Sequence, residues 1–245
     1  MVPENQLEEF VRRMRAAAGE NLESVILFGS AVAGDFHPEF SNLNLFCVLR
    51  DSGFTALQAL APAARWWDRQ KQPPPLFMTH QELERSTDVF AIELLDMVQH
   101  HRVLFGEDAL RGIQIPLHLH RVQLEYELRE KLLLLRQQVV LHAGDKRRLW
   151  SLLLRSAPSF VTLFRHALIA LGHAAPESRR AAVETLAEQL NFEPSAICQV
   201  LDLREHKINA RKLNLDDLLL RYLVAIERVT TAVDQALGAE ANTQS

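Results

Sequence analysis

Two short stretches near the front of the chain hold the residues whose types and spacing could do chemistry. Val25-Ile26-Leu27-Phe28 is an apolar run that ends in Gly29-Ser30. Further on, Ser41-Asn42-Leu43-Asn44 leads into a second apolar run that reaches Leu49. A glycine-serine turn at the end of a strand lets backbone N–H groups approach a phosphate with no Cβ in the way. The serine hydroxyl can donate to a phosphate oxygen. Asn42 and Asn44 are separated by one residue, so on a strand both side chains point to one face. An amide oxygen can ligate a metal there, but it brings no formal charge.

Several elements must position these residues. Glu4 to Ala18 carries Leu7, Phe10, Val11 and Met14 on one face and predicts a helix, closed by Gly19-Glu20-Asn21. Ser24 to Phe28 and Leu43 to Leu49 predict two strands, the second apolar enough to be buried on both faces. Thr55 to Gln70 predicts a helix with Leu57, Leu60, Ala64 and Trp67 inward, kinked or split at Pro62 and stopped by Pro73-Pro74-Pro75. Leu76 to Thr79 predicts a third strand, with a helix starting at Thr79 or His80. Asp88 is the expected cap of a further helix through Val98, and Arg102 to Gly106 a fourth strand.

The strand-turn-strand pattern resembles the polymerase-beta superfamily of nucleotidyltransferases, in particular the minimal and aminoglycoside-modifying branches. Their signature is an apolar strand, Gly-Ser, and then Asp-x-Asp on the next strand. Leu27-Phe28-Gly29-Ser30-Ala31-Val32-Ala33-Gly34 and Phe40-Ser41-Asn42-Leu43-Asn44-Leu45-Phe46 follow that signature, with both aspartates replaced by asparagine. The resemblance covers about the first 110 residues. It implies nucleotide binding at Gly29 and Ser30 and a nucleoside triphosphate as ligand. It also implies that carboxylates at positions 42 and 44 would hold two magnesium ions between attacking and leaving oxygens. Magnesium sheds water reluctantly and needs carboxylates beside the phosphates. Removing two costs on the order of several kcal/mol of metal binding, so magnesium is expected weakly if at all. Leu76, Phe77 and Met78 fill the strand where the family's third carboxylate falls, which replacement of the pair alone would not produce. The expected site has no catalytic residue (Asn42 and Asn44 being degenerate positions) and no metal ligand.

Other polar residues are read as structural. Asp35 and Asp51 are expected in turns, and Glu93 and Asp96 on a helix surface. His100-His101 and His118-x-His120 do not share helical faces and read as surface or cap histidines. Arg136 and His142 have a spacing similar to the motif of a helical ribonuclease family, but Gln137 departs from it, and both read as helix-surface residues. Lys146-Arg147-Arg148 and Arg179-Arg180 read as solvated helix ends. Trp66-Trp67 reads as core plus an edge. Cys47 and Cys198 lie far apart in apolar runs and read as buried thiols.

After Gly112-Ile113-Gln114-Ile115-Pro116 the strand pattern stops. Leu117 to His142 predicts a long helix. Asp145 caps the next, expected to run to about Ser156. Pro158 is expected inside the first turn of another, which ends at Gly172. Glu177 to Leu190, Glu193 to Glu205 and Leu215 to Leu237 follow, the last capped by Asn214 or Asp216. The fold class is therefore α+β, a small mixed sheet with flanking helices followed by an all-helical bundle. The expected domains are 1–112 and 113–238, with 239–245 a disordered tail.

The 245 residues are 48% apolar and carry a net charge of −4, which suits a globular core and argues against a charge-driven grip on nucleic acid. No apolar run reaches the ~20 residues of a membrane helix, and the polar N-terminus has no leader pattern, so a cytoplasmic protein is expected. The leading expectation is a pseudoenzyme that binds a nucleotide or phosphate, with a protein partner or a second copy engaged through the helical domain. The alternative is an active metal-dependent nucleotidyltransferase with atypical ligands, acting on a small molecule or protein hydroxyl.

Overall fold

The computed structural model describes residues 2–32, 42–174, 176 and 178–243. The chain divides into two compact units, Met1–Pro116 and Leu117–Ser245.

The first unit is a four-stranded mixed sheet with helices on both faces. α1 (Glu4–Ala18) buries Leu7, Phe10 and Met14, as its apolar spacing requires. β1 (Leu22–Phe28) and β2 (Asn44–Leu49) are antiparallel and joined through the 3-10 turn Gly29–Ala31 and the residues that follow it. α2 (Phe54–Arg69) leads to β3 (Leu76–Thr79), which runs parallel to β2. α3 (His80–Arg85), α4 (Ala91–Gln99) and β4 (His101–Gly106) complete the unit. The strand order is β3-β2-β1-β4, with β4 antiparallel to β1.

Alternation along the strands divides the core in two. Val25, Leu27, Leu43, Leu45, Cys47 and Leu49 meet α1 and α2 on one face. Ile26, Phe46 and Val48 meet Leu83, Leu94 and Met97 on the other. The first cluster is anchored by Trp67. Its ring lies 4.8 Å from that of Phe10, and its indole N–H donates to the Pro73 carbonyl at 3.0 Å. Thr79 and Glu82 form a reciprocal capping box that starts α3 directly from the end of β3.

Three expectations for this unit need correction. Pro62 does not split α2; the carbonyl it releases belongs to Gln58, a residue on the exposed side of the helix. Leu57 is exposed, a turn beyond the Leu60, Ala63 and Trp67 positions that reach the core, and Ala63 takes the inward place expected of Ala64. Asp88 does not cap α4, whose N-cap is Phe90 with no side-chain bond.

The second unit contains five α-helices among the described residues: α5 (Leu117–Leu141), α6 (Lys146–Ala170), α7 (Arg179–Leu190), α8 (Ser195–Arg204) and α9 (Leu215–Thr243). Side-chain oxygens start three of them: Asp145 accepts from the Arg148 amide, Ser178 from Ala181, and Asn214 from Asp216 and Asp217. The expected break between two helices near Ser156 is absent, and α6 runs unbroken through Pro158. Proline has no N–H for the carbonyl four residues back, which here is Leu154. The Arg204 guanidinium donates to that carbonyl from α8, so tertiary structure satisfies what the proline releases. Burial holds the Arg204 pKa below the usual arginine range, with Arg179 adding to the effect. α9 extends to Thr243, six residues beyond the helix end expected at Leu237.

Two substitutions test these constraints. A Cβ at Gly106 would lie 1.9 Å from the Glu23 carbonyl oxygen at a φ of +78°. Gly106→Ala should therefore lower unfolding stability by about 3 kcal/mol or more in urea titrations. Arg204→Met should cost about 2 kcal/mol by leaving the Leu154 carbonyl unpaired. That cost should shrink in a Pro158→Ala background, where the restored N–H takes the carbonyl, and a double-mutant cycle measures the difference.

Candidate functional site

β1 ends at Phe28, and the chain turns at Gly29 with a φ of +79°, a conformation that L side chains rarely adopt. The Gly29 carbonyl accepts from the Val32 amide at 2.9 Å, which closes the 3-10 turn and holds Ser30 half-buried at its centre. Phe28 pairs in register with Asn44, so antiparallel pairing brings the start of β2 beside the turn. Contact follows directly: a Cβ on Gly29 would lie 3.0 Å from Asn44 Nδ2. The glycine is therefore needed twice, for its backbone angle and for the room it leaves the amide.

Asn42 is exposed and Asn44 half-buried, with Leu43 fully buried between them. The Leu43 amide donates to Gln72 Oε1 at 2.8 Å, which holds the entry to β2. This alternation gives Asn42 and Asn44 the side of the strand opposite Leu43. On β3, Leu76 is level with Phe46 and Met78 with Val48, and Met78 packs into the apolar cluster on that face. No carboxylate stands on β3. Ser41 and Asp35 lie outside the described residues. Asp51 is a turn residue, its Oδ1 accepting from the Gly53 amide at 2.8 Å. Glu93 and Asp96 lie on α4. Among the described residues, no three of His, Cys, Asp and Glu come together so that they could hold a metal ion.

Sequence reasoning missed one polar group in this row. His101 pairs in register with Phe28 on the β4 side, so His101, Phe28 and Asn44 form a line across three strands. Its Nε2 lies 3.1 Å from Asp108 Oδ1. A period-2 reading that began β4 one residue earlier, at His101, would have found it. Arg102 faces the other way and pairs with Glu4 of α1 at 2.8 Å.

The remaining polar residues have structural partners. His120 is not at the surface, as the sequence suggested, but fully buried, with Nε2 2.8 Å from Nδ1 of buried His166. Arg136 pairs with Glu227 at 2.7 Å and not with His142. Arg148 pairs with Asp145 at the start of α6, and Arg180 with Asp202. Cys47 and Cys198 are free buried thiols, and burial pushes both above the ordinary cysteine range. No helix of the described residues is long and apolar enough to cross a membrane.

Neither a family model nor a curated protein matches the chain. Among solved structures, it is similar to spectinomycin adenyltransferase AAD(9) from Enterococcus faecialis, determined with ATP and spectinomycin. The TM-score is 0.61 at 15% identity, covering 92% of this chain and 98% of that one. A toxin-antitoxin structure with AMP-PNP aligns over 41% of this chain and 74% of that one at 15% identity, with a TM-score of 0.30 that bears no weight. The chain has a nucleotidyltransferase-type fold, a small mixed sheet with flanking helices followed by a helical region.

Proposed function

We propose that the chain is a pseudoenzyme of the polymerase-beta type, which binds a nucleotide or its phosphates at Gly29 and Ser30 without transferring a nucleotidyl group. The observation that carries this reading is the Asn44 amide seated against the Gly29 turn. A carboxylate there repels a triphosphate unless a divalent cation stands between them. An amide does not. Its N–H₂ group can itself donate to a phosphate oxygen, beside the turn amides and the Ser30 hydroxyl. The same exchange removes the charge that would draw magnesium into the site. The apolar β3 supports the reading, since it supplies no base for the hydroxyl of an acceptor. AAD(9), whose structure was determined with ATP, makes a nucleotide a reasonable ligand. In this reading the helical unit serves assembly, with a partner protein or a second copy.

Calorimetry with ATP tests the proposal. Binding is expected without magnesium and should change little when magnesium is added. Ser30→Ala should weaken it about tenfold, as for one hydrogen bond to a charged acceptor. Asn42→Asp/Asn44→Asp should reverse the pattern, weakening metal-free binding and making ATP affinity depend on magnesium by at least about tenfold. Labelled product from a transfer assay with the unaltered chain would establish the active-transferase reading instead. Absence of any nucleotide binding would leave only an assembly role.

A further inference from the structure

The helical unit holds a cavity of about 670 Å³, a volume that suits a small-molecule ligand. Three stretches of chain line it: Trp150 and Leu154 from α6, Leu203 near the end of α8, and the loop from His206 to Lys212 that leads to α9. Trp150 and Leu154 stand one turn apart on the same face of α6, and with Leu203 and Ile208 they form an apolar wall. All four are half-buried. The loop opposite them is fastened to its neighbours. His206 adopts a φ of +57°, and the amides of His206 and Lys207 donate back to the Leu203 and Asp202 carbonyls, which closes α8. Asn209 Oδ1 accepts from the Arg211 amide, and the Asn209 carbonyl from the Lys212 amide. Lys207 and Lys212 thus stand on the cavity rim from a fixed stretch of backbone.

Charge on this rim runs against that of the chain. The whole chain carries −4, yet residues 205–213 hold Lys207, Arg211 and Lys212 against the single acid Glu205. Glu205 pairs with Lys207 at the surface, a contact that a stronger anion displaces at little cost. Lys212, and Lys146 one turn before Trp150 on α6, have no ion pair among the described residues. Cations gathered on one surface repel each other, and a bound anion relieves that repulsion. A wall that includes a tryptophan ring takes a flat apolar body, and ammonium groups beside it take phosphate as point charges. We propose that this cavity of the helical unit binds a small aromatic phosphate, with its ring against Trp150 and its phosphate at Lys212 and Lys207. Single-stranded nucleic acid carries the same two groups, but it needs a basic track that continues past one site, and the net charge of the chain opposes it. The inference lies within the helical unit and does not rest on nucleotide binding at Gly29.

Titration of the full chain with naphthyl phosphate, followed by NMR on the indole N–H of Trp150, tests it. That signal, identified by its loss in Trp150→Phe, should move and saturate with a dissociation constant on the order of 0.1–1 mM. Naphthol and inorganic phosphate each offer half of the chemistry and should bind at least about tenfold more weakly. Lys212→Met should weaken naphthyl phosphate about tenfold with an unchanged helical circular-dichroism spectrum, and Lys212→Arg should retain most of the affinity. A Trp150 signal that stays in place, naphthol binding as well as its phosphate, or Lys212→Met without effect would overturn the proposal. So would a single-stranded oligonucleotide that moves the same signal at about a hundredfold lower concentration, which would make the surface a nucleic-acid site. The readout is local to α6, so its failure leaves ATP binding at Gly29 standing, and failure of ATP to bind there leaves this cavity untouched.

Discussion

The contact between Gly29 and the Asn44 side chain is the constraint on which the candidate site depends. Antiparallel pairing of Phe28 with Asn44 forces the start of β2 against the end of β1. Only a residue without a Cβ can turn there at φ +79° and leave the amide its place. The turn direction and the position of Ser30 both follow from that fit. Everything behind the turn is apolar. Leu43 is fully buried one residue before Asn44, and Phe46 lies in the core two residues after it. The site is thus a polar rim on a sheet packed against helices on both faces, and its chemistry rests with a few side chains outside either core.

An amide and a carboxylate have nearly the same shape, so a fold can keep its geometry while its electrostatics change. Two carboxylates close together on a strand repel each other, and one of them is driven towards its protonated form unless a cation joins them. Two amides have no such requirement, and that of Asn44 lies directly against the Gly29 turn. The exchange removes the need for metal and adds donors, which are different consequences for a phosphate ligand. Only the first bears on catalysis. The second bears on binding, so in the proposed reading a ligand can be held where no group is transferred.

Much of the first unit was legible because its signals are local. The apolar runs of β1 and β3, the face of α1, and the Thr79–Glu82 box at the start of α3 each follow from a few neighbouring residues. The site was legible in part. Spacing set Gly29 near Asn44, but His101 was missed because the strand was begun one residue late, at Arg102, and its place level with Phe28 depends on pairing with β1. Two of the misreadings share one cause, a local rule overridden by a distant partner. Pro158 should have ended a helix, and a guanidinium from α8 keeps α6 continuous. His120 reads as a surface residue until α6 brings His166 to it, 46 positions along the chain.

The same limit explains why α5 could be located but not oriented from its sequence. Its apolar residues fall on more than one side among the polar ones, so the pattern fixes a helix without saying which side is inside. Its neighbours decide. Leu124, Leu128, Leu132 and Leu135 turn into the bundle, and the ion pairs of Arg129 and Arg136 set where α9 lies. What remains is an outer stripe with the spacing of a packing seam and no helix of the described residues against it. Apolar side chains on a solvated face add nothing to the stability of the chain that carries them.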